Sequence, residues 1–333
     1  MGQGNYIERV AIVGVSTALP THNKSLTNKL NYQASGHIGK HFTEQLLKTG
    51  KHTVTAITRI GGTSSLPEGA KRVEVNYDDH QALVAALRGQ EFLIITMSVT
   101  APPDTHTKIV KAASEAGVPY IMPNCYGSDI QNDALRKEDL YSDGALKRCL
   151  EVEQYSNAAY IGMVCGFWYE WSLALGNNGF GFDIKNKSVT FFDDGNTKIT
   201  VSTGLQCGRA VAALLSLPET GAEPAVSQWK NKPFYIGSFT VSQRDMLDSL
   251  HRVTGSTDAD WTISYEPSKQ RYQDGLAELA KGERMGFVKA LYTRMFFQDG
   301  GGDYEANRGL ANDTIGLVKE DIDAATKRTI ELI

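Results

Sequence analysis

Arg9-Val10-Ala11-Ile12-Val13-Gly14 and, further along, Ala34-Ser35-Gly36-His37-Ile38-Gly39 are the two halves of one strand–turn–helix signal. The first piece is a short apolar run that stops at a glycine, as a buried strand does. The second opens an amphipathic run in which Ile38, Phe42, Leu46 and Leu47 share one face of a helix over 38–48, with Gly50 as its C-cap. Joined, the two pieces read Gly-Ala-Ser-Gly-His-Ile-Gly, a G-x-x-G-x-x-G turn between strand and helix. Glycines there let backbone approach a pyrophosphate. The free N–H groups of the first helical turn face it with partial positive charge. The strand–turn–helix setting gives the glycine pattern its weight. Gly14, Ser35, Gly36, His37, Ile38 and Gly39 are therefore cofactor-binding candidates.

Residues 15–33 interrupt this turn. They are polar, with Thr21, His22, Asn23, Lys24, Ser25, Thr27 and Asn28 close together, and they lack a core periodicity. A structureless loop of that length is unusual inside a domain, and here it would crowd the pyrophosphate. Val15-Ser16 can be encoded with a splice-donor sequence and Gln33 by a codon that ends an acceptor. Excision keeps the frame and restores the turn. The segment is read as an anomalous insertion, a retained intron; a genuine surface loop, whose closure costs little, is the alternative.

Outward from the turn, strands and helices alternate. Strands are predicted over 53–58, 72–76, 92–97 and 118–122, and helices over 79–87 and 105–116, the last ended by Gly117. Short βαβ spacings with near-continuous apolar strands predict a doubly wound parallel sheet of the Rossmann type. The second half is less regular. It predicts helices over 145–155, 204–217, 241–253, 268–281, 285–297 and 320–332, strands over 160–165 and 188–192, and a flexible break at Gly300-Gly301-Gly302. The expected organisation is a nucleotide-binding domain over 7–165 and a smaller α/β substrate lobe over 166–333, interlocked with the first.

The bulk numbers narrow the class. Of 333 residues, 41% are hydrophobic and 22% charged, an ordinary globular balance that argues against disorder. A net charge of −4 without a basic stripe argues against a nucleic-acid partner. Apolar runs such as 92–99 are too short to span a bilayer, so no membrane partner is expected. Cys125, Cys149, Cys165 and Cys207 are widely spaced, which argues against zinc and against a disulfide framework. A reducing, cytoplasmic setting fits. His37 and His41 lie four apart on the first helix but have no nearby carboxylate or cysteine to complete a metal site.

The residue that follows the second strand chooses between NAD and NADP. An acidic side chain there binds ribose hydroxyls, and a basic one accepts the extra phosphate. This chain has Thr58-Arg59, then Gly61-Gly62-Thr63-Ser64-Ser65, so Arg59 predicts NADP(H). Asn76 after the third strand is placed to meet adenine. Ser98 after the fourth strand and Asn124 after the fifth border the same crevice. Phe167, Trp168 and Tyr169 with Glu170 follow a sheet strand and are read as a substrate wall, or equally as core. Tyr265 and Lys269 match the letters Tyr-x-x-x-Lys, but Pro267 lies between them and breaks the helix that such spacing needs.

With these residues in view, the chain resembles the isoflavone reductase-like (NmrA-like, CipA-type) branch of atypical short-chain dehydrogenases. The likeness rests on the joined glycine turn, Thr58-Arg59, the segment 75–79, Ser98-Val99-Thr100-Ala101-Pro102-Pro103, Pro123-Asn124-Cys125-Tyr126-Gly127, the segment 165–170 and Val241-Ser242-Gln243-Arg244. It covers nearly the whole chain outside 15–33. The resemblance implies a Rossmann domain with a small C-terminal lobe, and NADPH with a small, often aromatic, substrate in the cleft between them. It also implies a lysine on the helix after the fifth strand. Aligning back from Val152-Glu153 puts Ala145 at that position, and Lys147, two residues on, becomes the catalytic candidate. Two functions follow: an NADPH-dependent reductase acting on a carbonyl or conjugated double bond, or a non-catalytic NADP(H)-sensing regulator.

Overall fold

The main sheet has seven strands, all parallel to their neighbours, and one edge strand comes from the second half of the chain. The computed structural model describes residues 5–14, 37–62, 65–97 and 101–333. The sheet begins with β1 (Arg9–Val13), and α1 (His37–Lys48) leads to β2 (Thr53–Arg59) and β3 (Lys71–Val75). Then α2 (His80–Leu87) crosses to β4 (Phe92–Ile95), and α3 (Thr105–Ala116) to β5 (Tyr120–Met122). The short α4 (Asp133–Glu138) and the longer α5 (Ser142–Tyr155) precede β6 (Ala159–Val164). All neighbouring strands pair in parallel, with β1 between β2 and β4.

Local chemistry sets these boundaries. Asp79 caps α2 by accepting from the Ala82 N–H at 3.0 Å. Gly117 ends α3 in the left-handed conformation that glycine adopts without cost, at φ 76°. The fourth strand stops at Ile95, short of the predicted Met97, because Thr96 turns to give both its N–H and its hydroxyl to the Val13 carbonyl.

Past β6 the chain makes β7 (Phe167–Trp168), α6 (Tyr169–Leu173), β8 (Phe182–Asp183), β9 (Ser188–Phe192) and β10 (Ile199–Ser202). Helix α7 (Gly204–Leu215) and β11 (Lys232–Tyr235) then return to the first sheet, where β11 pairs in parallel with β6 as the seventh strand. The remaining elements are β12 (Phe239–Val241), α8 (Gln243–Thr254), β13 (Thr262–Glu266), α9 (Ser268–Ala280), α10 (Arg284–Met295), α11 (Tyr304–Arg308) and α12 (Ile322–Glu331). They build a second lobe with two small sheets, β12-β10-β7 and β13-β9-β8.

Three cores follow from this layout. One lies between the sheet and α1 with α7, through Ile38, Phe42, Cys207 and Val211. A second lies on the opposite face under α2, α3 and α5. The third, rich in aromatics, fills the second lobe.

Two expectations need correction. The helix predicted over 241–253 begins later: Val241 ends β12, and Ser242 caps α8 in a reciprocal arrangement with Asp245, whose carboxylate accepts from the Ser242 N–H at 2.9 Å. The Gly300-Gly301-Gly302 stretch is no flexible break. The Gly302 carbonyl accepts from the Thr200 N–H at 2.8 Å, and a Cβ on Gly302 would lie 2.5 Å from the Met295 carbonyl oxygen and 2.7 Å from Ile199 Cγ2. Glycine is there for close approach to β10. Among the described residues, no helix is long and apolar enough to cross a membrane.

Candidate cofactor crevice and lobe junction

In an open parallel sheet, ligands bind beyond the carboxyl ends of the strands where the order reverses. Here the reversal falls between β1 and β4. Gly14 leaves β1 at φ 90°, and a Cβ there would sit 2.1 Å from the Thr96 carbonyl oxygen. No side chain fits, so the crevice floor is bare backbone. From Ile38 and Gly39, both buried, α1 runs down the sheet, and the Thr43 hydroxyl donates to the Gly39 carbonyl at 2.8 Å. Asn124, at the exit of β5, donates through Nδ2 to the Met97 carbonyl at 3.1 Å and so ties the exits of β5 and β4 together. Ser35, Gly36 and Ser98, the side chain of His37, and the proposed intron at 15–33 lie outside the described residues.

At the other end of the crevice, Arg59 is the last residue of β2 and is exposed. It neighbours Tyr77, whose phenol burial pushes up to about 12 against the pull of the Arg59 charge. Gly61 and Gly62 follow, and Arg72 of β3 reaches this turn, donating to the Gly62 carbonyl at 3.4 Å and to the Thr58 hydroxyl at 3.5 Å. Two guanidinium groups thus flank the exit of β2. Asn76 is exposed, and its side-chain oxygen accepts from the Asp78 N–H at 3.1 Å.

Helix α1 is braced from behind by α7. A Cβ on Gly204 would fall 2.6 Å from the His41 ring, and one on Gly208 would fall 2.5 Å from the His41 carbonyl oxygen. Two glycines one turn apart let the helices touch backbone to backbone. His41 is therefore a packing residue of that contact. Among the described residues, no cluster of three or more His, Cys, Asp or Glu side chains could hold a metal ion.

The catalytic candidate Lys147 faces solvent. Its side chain is 71% exposed and its ammonium lies 2.8 Å from Asp143, one turn earlier on α5. The helical register explains this, because Ala145, Cys149 and Val152 take the buried face and Lys147 falls on the opposite side. The Tyr265 and Lys269 pair lies on separate elements, β13 and the start of α9, on either side of Pro267.

The aromatic stretch after β6 divides by strand alternation. Phe167 turns into the second-lobe core and stacks on Tyr292 with centroids 3.9 Å apart. Tyr169 is buried there too, its hydroxyl 2.8 Å from that of Thr326. Burial pushes the Glu170 carboxyl up, opposed by Arg328 of α12 at 2.9 Å, so this carboxylate is tied into an ion pair between elements. Trp168 turns the other way, toward the core shared with α1. Of the four residues, Trp168 alone looks from the second lobe to the nucleotide side.

One carboxylate at the junction was not singled out by sequence reasoning. Glu320 is nearly buried and accepts from Thr203 Oγ1 at 2.7 Å, from Ser238 Oγ at 2.6 Å and from Arg209 at 3.0 Å. It ties the start of α7 to the C-terminal segment. No local pattern announces such a partner, since its contacts are a hundred residues away in sequence.

The fold and crevice define an NAD(P)-binding chain of the Rossmann type. Residues 34–153 match the family model for NAD(P)H-binding domains, so that domain is present here. The chain is 25% identical over 295 residues, 87% of its own length and 94% of the relative's, to oxidoreductase aprR of Aspergillus flavus. Its fold is that of isoflavone reductase, with a TM-score of 0.70 at 18% identity, covering 98% of this chain and 100% of that one. The quinone oxidoreductase QOR2 of Escherichia coli, solved with NADPH, shares the fold at a TM-score of 0.62 and 19% identity over 96% of this chain and 99% of that one. The Rossmann-type fold and the NAD(P)H-binding domain expected from the sequence therefore stand.

Proposed function

We propose that this chain is an NADPH-dependent reductase of a small metabolite carrying an aromatic or conjugated carbonyl. The observation that carries the reading is the cradle at Gly14, where a Cβ would be 2.1 Å from the Thr96 carbonyl and only backbone can line the floor. A pyrophosphate needs such a floor. Arg59, with Arg72 beside it at the exit of β2, supports the 2′-phosphate of NADP(H) over the bare ribose of NAD(H). The name of the fungal relative, an oxidoreductase, agrees with a redox role.

When bound, the nicotinamide supplies hydride. The chain's own part is to hold and orient the partners and to keep the crevice narrow. Asn124 fixes the rim between β4 and β5, and α7 braces α1 from behind. Lys147, on its solvent-facing ion pair, has no part in this scheme. Ala145 at the position where the resemblance expects a lysine favours a second reading, an NADP(H)-sensing regulator without turnover.

NADPH titration by fluorescence tests the reading, on this chain and on a version lacking residues 15–33. NADPH binding with turnover of aromatic ketones or enones is the expected result. Binding without turnover across such a panel selects the regulator. If neither form binds NADPH, cofactor use itself is refuted. Binding by the shortened form alone identifies 15–33 as an intrusion.

A further inference from the structure

Arg148, on α5, is half-buried, and its charge has no partner in the chain. Every other buried or half-buried arginine among the described residues holds a carboxylate, from Arg9 on Glu91 at 2.6 Å to Arg328 on Glu170 at 2.9 Å. Arg59, Arg88 and Arg284 also lack one, but they are exposed, where water serves. A guanidinium drawn out of water without an anion is costly to hold. It offers five N–H donors in a fixed fork that matches a carboxylate.

Its place in the fold says where that anion comes from. Tyr141, just ahead of α5, and Gly144, Arg148, Glu151 and Tyr155 along it recur every three or four residues and form one stripe. The far part of the stripe faces α3. Glu151 is taken there by His106 Nδ1 at 2.7 Å and by the Thr107 hydroxyl at 3.1 Å, and the Lys111 ammonium sits 4.6 Å from the centre of the Tyr155 ring. The near end faces the exit of β5, where the Tyr141 hydroxyl donates to the Tyr126 carbonyl at 2.8 Å. Arg148 stands between, one turn nearer the strand exits than the contact of Glu151 with the first turn of α3. With no side chain at Gly144 in the way, it folds back further, and its Nη1 lies 4.0 Å from where a Gly144 Cβ would be. Burial pushes the Tyr141 phenol up and the Arg148 charge pulls against it, as a guanidinium turned toward the strand exits must.

We propose that Arg148 binds a carboxylate of the substrate at the mouth of the crevice. The cofactor also carries anionic groups, but the proposed cofactor site holds its phosphates at the Gly14 turn and at Arg59. Helix α1 packs on the face of the sheet opposite to α3 and α5, so the anion that meets Arg148 is the substrate's. A carboxylate takes two parallel N–H bonds from a guanidinium, which fixes the orientation of the acid as well as its charge. Lys147, paired with Asp143 on the solvent side, does not compete for it. This inference rests on the reductase reading and adds to it the class of substrate: an aromatic or conjugated carboxylic acid.

The test uses the full chain with NADP+ present and two probes of nearly equal shape, trans-cinnamate and trans-cinnamamide, with affinities measured by calorimetry. Wild type is expected to prefer cinnamate by about tenfold or more. Arg148→Gln should abolish that preference. Arg148→Lys, which keeps the charge without the fork, should retain part of it, and NADPH affinity should be unchanged in both. Arg148 has no partner to lose, so the denaturation midpoint of Arg148→Gln should not fall. A cinnamate preference that survives Arg148→Gln overturns the proposal. So does a wild type that binds cinnamate no better than cinnamamide, or that binds neither. Weaker NADPH binding by Arg148→Gln overturns it too, since the anion is then the cofactor's. Failure of wild type to bind NADPH sinks the reductase reading, while the cinnamate ratio still judges Arg148 on its own.

Discussion

Replacing Gly208 by alanine asks whether α7 presses on the dinucleotide helix as closely as the geometry says. A Cβ there would lie 2.5 Å from the His41 carbonyl oxygen, 2.9 Å from its carbon and 2.8 Å from Gln45 Cγ. Two of those atoms are backbone of α1, which no rotamer change can move. Ordinary contact needs roughly 3.5 Å, so α7 must back away by about 1 Å. Overpacking of this kind costs about 2–3 kcal/mol. Alanine in place of glycine inside a helix returns about 1 kcal/mol. The net expectation is a loss of about 1–2 kcal/mol. Gly144 on α5 is the control, because its nearest neighbour is the flexible Arg148 guanidinium at 4.0 Å. Gly144→Ala should gain up to about 1 kcal/mol. Urea denaturation followed by far-UV circular dichroism measures both. Since α1 carries the cofactor turn at its start, Gly208→Ala should also weaken NADPH binding by about threefold or more, and Gly144→Ala should not. A Gly208→Ala protein at least as stable as wild type would refute the close contact, and with it the claim that α7 sets the position of α1.

Three further outcomes are expected. Arg59→Ala should raise the NADPH dissociation constant by about tenfold, the value of one charge-assisted hydrogen bond to phosphate, with NADH affinity unchanged; equal losses for both nucleotides would remove Arg59 from the 2′-phosphate. The hydrogen bond from His106, at 2.7 Å, holds the Glu151 carboxyl below its usual range. A depressed carboxylate contributes stability above its unfolded value and loses it as pH falls through the folded one, so Glu151→Gln should flatten the decline in stability between about pH 5 and pH 3; identical pH profiles would exclude the pair. All four cysteines are buried, and burial pushes the Cys207 thiol well above its ordinary value. They should resist an aromatic disulfide reagent in the native protein and all react in denaturant, and rapid native labelling would contradict that packing.

The nucleotide half was legible because its signals are local. The helix over 105–116 is predicted and found with the same limits, since the turn at Pro102-Pro103 and the glycine at 117 punctuate it within a few residues. The Gly50 cap, at φ 68°, likewise follows from one residue type at one position. Long-range partners were not legible. The strand Lys232–Tyr235 is short and opens with Lys-Pro, and it becomes a sheet strand only by pairing with β6, some seventy residues upstream. The candidate site shows the same division. Gly14 and Arg59 announce themselves by their place after a strand. Glu320 is one of many glutamates until the fold sets it beside Thr203, Ser238 and Arg209. The cysteines, far apart in sequence, form two close pairs: Gly162 lies between Cys125 and Cys149, with both sulfurs within 3.6 Å of where its Cβ would be, and the neighbouring Cys165 adds to burial in pushing the Cys207 thiol up.

The return of α7 and β11 to the first sheet bears on how the two lobes can move. A hinge confined to residues 165–166 would let the second lobe swing freely over the strand ends. Instead the chain crosses the junction repeatedly: out at Gly166, back at Thr203 into α7, and out again after β11. Glu320 binds Thr203, Ser238 and Arg209 near those last crossings, and Arg308 of α11 reaches back to the buried Asp129 at 2.8 Å. Each crossing removes a degree of freedom, so a rigid-body swing must break several charge-assisted contacts at once. Opening of the crevice is therefore expected to come from its rim segments rather than from rotation of the whole lobe.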